Sequence, residues 1–335
     1  MIIQLSNIDD NPKEVEDFLT QKKLSFSRVV TQKGNYIIAN GKSEYDIREI
    51  GKLKSVMDVH FVDDTYQLVS SMWKIGKSVI PIAEDCKIGA ENFQLMVGPC
   101  SIESEKQIEE VVAHLVKNKI GIMRGGVFKP RSSPYAFRGL GIEGLKMFYA
   151  ECKKHNIKIV TEIMEPSQAE LMYDYIDIFQ VGARNAQNFN LLDELGKQDK
   201  AVLLKRGISG TINELLLAAE YVFSGGNERI ILCERGIRSF ESAYRNTLDL
   251  NAVAILKEKT HLPVIVDPSH GIGIRKHVAT MALSSILAGA DGLILEIHPC
   301  PEKALSDGQQ SLNFIEAEKL YCQIGNVLEM AHKLT

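Results

Sequence analysis

Two successive α/β patterns predict the fold class of this chain, a (β/α)8 barrel preceded by a small α+β domain. From residue 93 onward, a β-branched apolar strand, a polar loop and a helix of two to four turns recur eight times. Eight such units in about 240 residues are typical of a TIM barrel, whose strands fill a packed interior. Before them, residues 1–65 alternate short strands with amphipathic helices in the order βαββαβ, which indicates a ferredoxin-like sandwich.

The first domain is predicted from its alternating apolar residues and its turn residues. Strands are expected at residues 2–5, 26–31, 36–39 and 57–62, and helices at residues 12–23 and 44–53. Gly34-Asn35 joins the second and third strands as a hairpin. Because no catalytic group of residues lies here, we expect residues 1–65 to be a regulatory or assembly domain. A purely structural role is the alternative.

Residues 66–92 are less regular and connect the two patterns. Segments 78–83 and 86–88, separated by Glu84-Asp85, predict a short hairpin, with Trp73 packed nearby. We expect this region to be a linker whose hairpin plugs the barrel.

Residues 93–335 are predicted to form the catalytic barrel. Its strands are expected at 93–99, 121–128, 157–163, 177–182, 201–205, 229–234, 263–267 and 292–297. Its helices are expected at 104–117, 142–155, 167–175, 188–197, 211–223, 248–259, 275–288 and 311–333. A doubly wound sheet is the alternative, but it would need a glycine-rich turn after its first strand, and Gly98-Pro99-Cys100-Ser101 is not one.

The composition and net charge of the chain indicate which kinds of binding partner to expect. The 335 residues are 45% hydrophobic and 24% charged, with a net charge of -4, which does not favour a protein that coats nucleic acid or an anionic membrane. The six cysteines include no CxxC pair, so reduced thiols are expected. No signal peptide or apolar run of about 18 residues is evident. We therefore expect a cytoplasmic protein without nucleic acid or membrane partners.

Cations are concentrated where the predicted strands end, which is where barrel enzymes bind their substrates. The stretch 123–135 adds two glycines, two prolines and two serines, which suit a loop that grips phosphate. Two unit charges 6 Å apart repel by about 3 kcal/mol at an effective dielectric near 20. The carboxylates of Glu162 and Glu234 are too few to neutralise the six cations at these strand ends, so one or two phosphorylated substrates are expected. The cations are Arg124, Lys129, Arg131, Arg184, Lys205 and Arg235.

A second group of residues suits a divalent metal ion. Cys100, His270, Glu296 and Asp307 come from strands that are neighbours in a closed ring and from the loop that follows. Such mixed S/N/O ligands suit Mn, Fe, Co or Zn. Three of the four have an ordinary alternative: Cys100 as a buried thiol, His270 in a hydrogen bond to Asp267, and Glu296 in an ion pair with Lys205. His298 lies on the same strand face as Glu296, which leaves open which of them binds, and Cys300 lies nearby in a turn between two prolines.

Taken together, five motifs closely resemble those of 3-deoxy-D-arabino-heptulosonate 7-phosphate (DAHP) synthases. They are Gly98-Pro99-Cys100-Ser101, Lys129-Pro130-Arg131-Ser132, Gly182-Ala183-Arg184, Asp267-Pro268-Ser269-His270 and Leu295-Glu296. The N-terminal ferredoxin-like domain is similar to that of the feedback-regulated type I beta branch. The resemblance implies condensation of phosphoenolpyruvate with erythrose 4-phosphate, the first step of the shikimate pathway, in a homotetramer inhibited by tyrosine or phenylalanine.

The resemblance also implies roles for individual residues. Phosphoenolpyruvate would be bound by Arg124, Lys129, Arg184, Lys205 and Arg235. Erythrose 4-phosphate would be bound by Arg131, Ser132 and Asp307, although the family commonly has threonine where Ser132 stands. The metal ligands would be Cys100, His270, Glu296 and Asp307. Lys129, Cys100 and His270 would be the catalytic residues, with Lys129 as the proton donor.

Three other functions are compatible with parts of the pattern. The related 3-deoxy-D-manno-octulosonate 8-phosphate synthase uses arabinose 5-phosphate, but it usually has Ala-Asn between the lysine and the arginine of the loop, where Pro130 stands here. A Schiff-base aldolase could use Lys129 or Lys205. A sensor could bind phosphates in an inactive barrel, which the complete ligand set does not favour.

Overall fold

The computed structural model describes residues 1–7, 11–41, 46–131, 133–331 and 333. Its first sheet is antiparallel in the order β2-β3-β1-β4. The strands are β1 (Ile2–Leu5), β2 (Ser25–Val30), β3 (Asn35–Asn40) and β4 (Val56–His60), and the helices are α1 (Lys13–Gln21) and α2 (Ile47–Ile50). Apolar residues of both helices, including Leu19 and Ile50, cover one face of the sheet at Ile3 and Ile37. The predicted ferredoxin-like α+β fold is confirmed. Part of the predicted second helix, residues 44 and 45, lies outside the described residues.

The connecting region forms a hairpin of β5 (Ile80–Ala83) and β6 (Cys86–Ile88). Ile80 and Ile88 are buried against Met96, Ile122 and other inward-facing residues at the start of the barrel strands. The hairpin therefore covers the N-terminal end of the barrel with apolar side chains. The opposite end is left for polar residues.

The barrel is closed by eight parallel strands, so the predicted TIM barrel is confirmed. They are β7 (Gln94–Gly98), β8 (Ile122–Arg124), β9 (Lys158–Ile163), β10 (Ile178–Val181), β11 (Ala201–Lys205), β12 (Ile230–Glu234), β13 (Val264–Val266) and β14 (Gly292–Glu296). The surrounding helices are α3 (Glu105–Lys117), α4 (Gly141–Lys154), α5 (Gln168–Met172), α6 (Phe189–Gly196), α7 (Ile212–Ser224), α8 (Leu250–Lys259), α9 (Pro268–Ile272), α10 (Arg275–Leu287) and α11 (Phe314–Ala331). Within the described ranges, no helix has both the length and the apolarity needed to cross a membrane.

Two elements differ from the sequence prediction. The strand expected at 121–128 ends at Arg124, and beyond it Gly126 pairs with Ser101 in an isolated parallel bridge before the chain bends at residues 127 and 128. The short helix α9 was not predicted. It begins because the carboxylate of Asp267 accepts a hydrogen bond from the backbone N–H of His270 at 3.0 Å, with a proline in its first turn.

The N-terminal domain packs on the side of the barrel through aromatic residues. Trp73 lies edge-on to Tyr36 and to His261, with ring centroids 5.5 and 5.8 Å apart. His261 is buried, donates from Nε2 to the carbonyl of Leu68 at 2.9 Å and accepts at Nδ1 from the hydroxyl of Ser78 at 2.8 Å. Burial, with Lys74 nearby, lowers the pKa of His261 to about 3. The linker is therefore fastened to the barrel by an uncharged imidazole.

We expect acid to destabilise the chain at this imidazole. The contribution of His261 to the free energy of unfolding is complete above the ordinary pKa of 6.5, since neither state then binds the proton. Below it only the unfolded chain is protonated, and about 1.4 kcal/mol is lost for each pH unit down to the folded pKa. The difference in Tm between pH 7 and pH 5 should be smaller for His261→Gln than for wild type. The same change at exposed His155 is the control, and equal pH dependence in both variants would contradict the prediction.

Candidate active site

A cavity of about 280 Å³ opens at the C-terminal ends of the barrel strands. A second, more open cavity of about 550 Å³ shares Lys129, Arg131 and Arg184 with it. The adjoining cavities have room for two small substrates that share one wall. The first cavity is lined by Arg124, Lys129, Pro130, Arg131, Glu162, Gln180, Gly182, Ala183, Arg184, Lys205, Ile208, Arg235, Arg238, Arg245, Asn246, His270 and Asp307.

Two of the predicted cations are held by buried carboxylates. Arg124 donates from Nη1 to Oε1 of Glu296 at 2.8 Å, and Nζ of Lys205 lies 2.5 Å from Oδ2 of Asp267. The alternative pairing of Glu296 with Lys205 is therefore wrong. Glu296 and Asp267 also neutralise cations of the site, in addition to the two carboxylates considered from the sequence, Glu162 and Glu234. Burial of all four groups makes the ion pairs sensitive to loss of either member.

Other cations reach the cavity without a carboxylate partner. Arg184 and Arg235 line it, and within the described part of the chain neither forms an ion pair. Arg235 is only 6% exposed, so burial lowers the pKa of its guanidinium, with Asp267 opposing the shift. Nε of Arg124 is also buried without a hydrogen-bond partner. Buried donors of this kind favour an anionic ligand, because an unpaired buried charge is costly.

The position of Arg184 depends on a glycine two residues earlier. A Cβ at Gly182 would lie 1.9 Å from Oε1 of Glu162, so any other residue there would have to displace that carboxylate. The chain then turns through a short helix that contains Arg184. This explains the Gly182-Ala183-Arg184 motif as a close approach of backbone to an acidic side chain.

A sulfur, nitrogen and oxygen cluster lies at the closure of the barrel. Ligand atoms of Cys100, Glu296 and Asp307 lie within 4.8 Å of one another. Nε2 of His270 lies 3.5 Å from Oε1 of Glu296 and 3.7 Å from Oδ2 of Asp307. Nδ1 of the same ring donates to Asp267 at 2.7 Å, a carboxylate contact that is common behind histidines that bind metals.

His298, the alternative to Glu296 as a ligand, and the neighbouring Cys300, which was not expected to be a ligand, have other contacts. Nε2 of His298 lies 3.3 Å from Oε2 of Glu103, and its Nδ1 accepts from the backbone N–H of Cys300 at 3.0 Å. The thiol of Cys300 lies 3.7 Å from Oε2 of Glu302. Neither residue joins the cluster of Cys100, Glu296 and Asp307 in the described chain.

The charges of the cluster suit a cation. Burial lowers the pKa of His270, with Asp267 opposing, so its Nε2 offers a lone pair. Burial opposes ionisation of Asp307, but the guanidinium of Arg245 and other cations hold its pKa at about 2. Two carboxylates about 5 Å apart repel by about 3 kcal/mol at an effective dielectric near 20. A divalent ion would relieve this repulsion, and the donor atoms fit one.

The thiol of the cluster is buried beside a lysine. Burial and the carboxylate of Glu296 raise the pKa of Cys100. Nζ of Lys129 lies 3.2 Å from its sulfur and donates to its backbone carbonyl at 3.0 Å. A cation that binds the sulfur would therefore displace a proton from it.

The loops around the cavity carry further polar residues, some predicted from the sequence and some not. Arg131 donates from Nη2 to the hydroxyl of Ser306, which lies 3.0 Å from the sulfur of Cys100. Ser132 lies outside the described residues. Arg238 and Arg245 were missed because they lie in the loop after β12 rather than at a strand end. Arg206, which follows Lys205 at the end of β11, pairs with Glu234 and Asp249, both at 2.9 Å, and supports the barrel.

The barrel, its cationic cavity and the adjacent cluster define an enzyme that acts on small anionic substrates. The family model described as the DAHP synthetase I family matches residues 74–333. The chain belongs to this family, and the predicted resemblance is confirmed.

Individual relatives agree with the family. The phospho-2-dehydro-3-deoxyheptonate aldolase of Thermotoga maritima is 48% identical over 249 residues, which are 74% of this chain and 73% of that protein. A crystal structure of a phospho-2-dehydro-3-deoxyheptonate aldolase (DAHP synthase) from the same organism has a TM-score of 0.79 and 39% identity, covering 98% of this chain and 96% of that one. A 2-dehydro-3-deoxyphosphooctonate aldolase of Syntrophotalea carbinolica is 33% identical over 252 residues, 69% of this chain and 89% of that protein. The chain is thus an enzyme of the DAHP synthase class, which implies a role in aromatic amino acid biosynthesis.

We expect Co²⁺ added to metal-free protein to give a near-ultraviolet thiolate-to-cobalt charge-transfer band. The band requires a sulfur ligand, so Cys100→Ser should abolish it while Cys300→Ser, which changes the half-buried cysteine outside the cluster, should retain it. Absorbance titration of the three proteins provides the measurement. A band that survives in Cys100→Ser but not in Cys300→Ser would place the ion elsewhere.

Proposed function

We propose that this enzyme condenses phosphoenolpyruvate with erythrose 4-phosphate and water to give DAHP and phosphate. The observation that carries the proposal is the direct contact between a cationic cavity and a cluster suited to a metal ion. Lys129 lines both cavities and also contacts Cys100 of the cluster. An anionic substrate in the first cavity and a sugar phosphate in the second would therefore meet beside Lys129.

The first substrate would be bound by Arg124, Lys129, Arg184, Lys205 and Arg235. The ion pairs with Glu296 and Asp267 support this assignment, since they hold Arg124 and Lys205 in place before a ligand arrives. Arg184 and Arg235 could then supply charge to its phosphate and carboxylate groups. Guanidinium groups form paired hydrogen bonds with both kinds of oxyanion.

The sugar phosphate would be bound by Arg131, with Asp307 near its reacting end and Ser132 as a further contact by resemblance. Arg131 lines both cavities, and its bond to Ser306 links it to the loop that carries Asp307. Nε of Arg131 donates to the carbonyl of Phe137 at 3.0 Å, which supports a fixed guanidinium at the shared wall.

A divalent ion would be held by Cys100, His270, Glu296 and Asp307, whose donor atoms suit Mn, Fe, Co or Zn. When bound there, the ion would supply Lewis acidity toward the aldehyde oxygen of the sugar. The chain itself would hold the enol phosphate with its methylene carbon facing the aldehyde carbon.

Lys129 is the proposed proton donor. As the new carbon–carbon bond forms, the aldehyde oxygen gains negative charge and would take a proton from Nζ of Lys129. Water would then add to the carbon that carries the phosphate group and give one proton back to Nζ of Lys129. The bond from this carbon to the phosphate oxygen would break as the new hydroxyl becomes the ketone, and its proton would leave with the phosphate. The contact of Nζ with the Cys100 sulfur at 3.2 Å supports this role, because it places the ammonium group beside the metal cluster.

A second candidate reaction uses arabinose 5-phosphate in place of erythrose 4-phosphate. The relative from Syntrophotalea carbinolica, named as a 2-dehydro-3-deoxyphosphooctonate aldolase, is the observation that favours it. Pro130, which lines both cavities, favours the four-carbon sugar instead. The higher identity of the phospho-2-dehydro-3-deoxyheptonate aldolase also supports the first proposal.

We expect phosphoenolpyruvate to be consumed with erythrose 4-phosphate, not with arabinose 5-phosphate, and consumption to stop when a chelator is added. His270→Ala should lower kcat about a thousandfold or more, because it removes one proposed ligand of the Lewis acid. His277→Ala, which changes an exposed histidine, is the control. Full activity of metal-free protein, or trapping of an imine with borohydride, would favour a Schiff-base aldolase instead.

The N-terminal domain is the proposed feedback unit, and tyrosine or phenylalanine is the proposed effector of a homotetramer. We expect a chain lacking residues 1–65 to keep its activity and to ignore both amino acids, while the full chain is inhibited. A truncated DAHP synthase of Thermotoga maritima, with a TM-score of 0.75, 44% identity and coverage of 79% of this chain and 97% of that one, supports a barrel that folds without that domain. Initial rates with each amino acid provide the test, and inhibition of the shortened chain would refute it.

A further inference from the structure

A buried glutamine lies behind the two carboxylates of the metal cluster. Gln310 belongs to the loop between β14 and α11, three residues after Asp307, and is fully buried. Its backbone N–H donates to the carbonyl of Asp307 at 3.2 Å, which folds the loop back on itself. Gln310 does not line the substrate cavity, so it would not touch the substrates.

The amide of Gln310 forms three polar contacts, and every one is to the site. Nε2 donates to Oε2 of Glu296 at 2.6 Å and lies 3.5 Å from Oδ2 of Asp307. Oε1 accepts from Nη1 of Arg245 at 2.5 Å. A single neutral group thus joins both carboxylates to a cation of the cavity wall.

These contacts orient Glu296. With Oε2 held by Gln310, the other oxygen, Oε1, is the one that lies 3.5 Å from Nε2 of His270. Among side chains, a primary amide is suited to this position because it donates to carboxylates and accepts from a guanidinium without adding charge. A lysine or arginine there would neutralise the ligands, and a carboxylate would repel them.

Gln310 also competes with Asp307 for Arg245. Nη1 of Arg245 lies 3.3 Å from Oδ2 of Asp307, farther than from the amide oxygen of Gln310. Without that acceptor, the guanidinium would be free to pair more closely with Asp307. A tighter ion pair would oppose binding of a metal ion by the same carboxylate.

We propose that Gln310 is a positioning residue that sets the affinity of the cluster for its divalent ion. It does so by orienting Glu296 and by holding Arg245 back from a closer ion pair with Asp307 than the present 3.3 Å. The inference rests on the metal site of the proposed function and extends it to a residue outside the ligand set.

The test compares Gln310→Met with Gln309→Met. Methionine matches glutamine in length but lacks the amide, and Gln309 is the exposed neighbour in the same loop. Isothermal titration of the metal-stripped full chains with MnCl2 should give a Kd at least about tenfold higher for Gln310→Met, since loss of a group behind metal ligands typically costs 10–100-fold. Gln309→Met should bind as wild type does. A Kd for Gln310→Met within twofold of wild type would overturn the inference.

Two further measurements separate positioning from general loss of structure. Saturating Mn²⁺ should restore most of kcat in Gln310→Met, whereas a collapsed site would stay inactive and would refute the proposal. Gln310→Asn keeps the amide on a side chain shorter by one methylene. Its Kd for Mn²⁺ should lie between that of wild type and that of Gln310→Met. It also provides the measurement if the methionine variant does not fold. Failure of the wild-type chain to bind Mn²⁺ would instead refute the metal site, and this inference with it.

Discussion

Burial of charge is the constraint on which the rest of this structure depends. Arg124, Lys205, Asp267 and Glu296 are each at most 4% exposed, and isolated ions at such depth would be strongly unfavourable. They occur as two pairs, Arg124 with Glu296 and Lys205 with Asp267. Asp267 also binds His270, so one carboxylate fixes a cation of the cavity wall and a proposed metal ligand together. The site therefore holds its shape through internal ion pairs and keeps other cations available for ligands.

The barrel stabilises this arrangement of buried charges because its apolar residues and its charged residues lie at opposite ends. At the N-terminal end, the β5–β6 hairpin and the inward-facing residues of the strands form an apolar cluster. At the C-terminal end, four of the same strands finish in charged residues, namely Arg124, Lys205, Glu234 and Glu296. Apolar packing below holds the strand ends in register, and this register brings residues that are distant in sequence within hydrogen-bond distance. Cys100 and Asp307, for example, lie 3.5 Å apart, Sγ to Oδ2.

The periodic parts of the molecule could be predicted, because apolar residues repeat with the period of the element they form. The ends of β11 and β14 followed from that, and with them Lys205 and Glu296. The ion-pair and hydrogen-bond partners of these side chains could not be predicted in the same way. Glu296 pairs with Arg124 and not with Lys205, a choice set by register and side-chain direction. Gln310 and Arg245 lie in loops, where spacing carries little information about tertiary contacts. The early end of β8 was missed because residues 125–128 continue its apolar and glycine-rich sequence, although the pairing there is reduced to an isolated bridge between Gly126 and Ser101.

The backbone of Asp307 limits how this site could change during evolution. Its φ is +51°, a left-handed conformation that asparagine and aspartate adopt more readily than most residues other than glycine. Glycine or asparagine would suit the backbone but would remove the negative charge, and glutamate would keep the charge in an unfavourable conformation. Aspartate meets both the backbone requirement and the charge requirement, so we expect few substitutions at position 307 to be tolerated. Among the proposed metal ligands, Cys100 would be easier to replace, because its backbone imposes no such restriction.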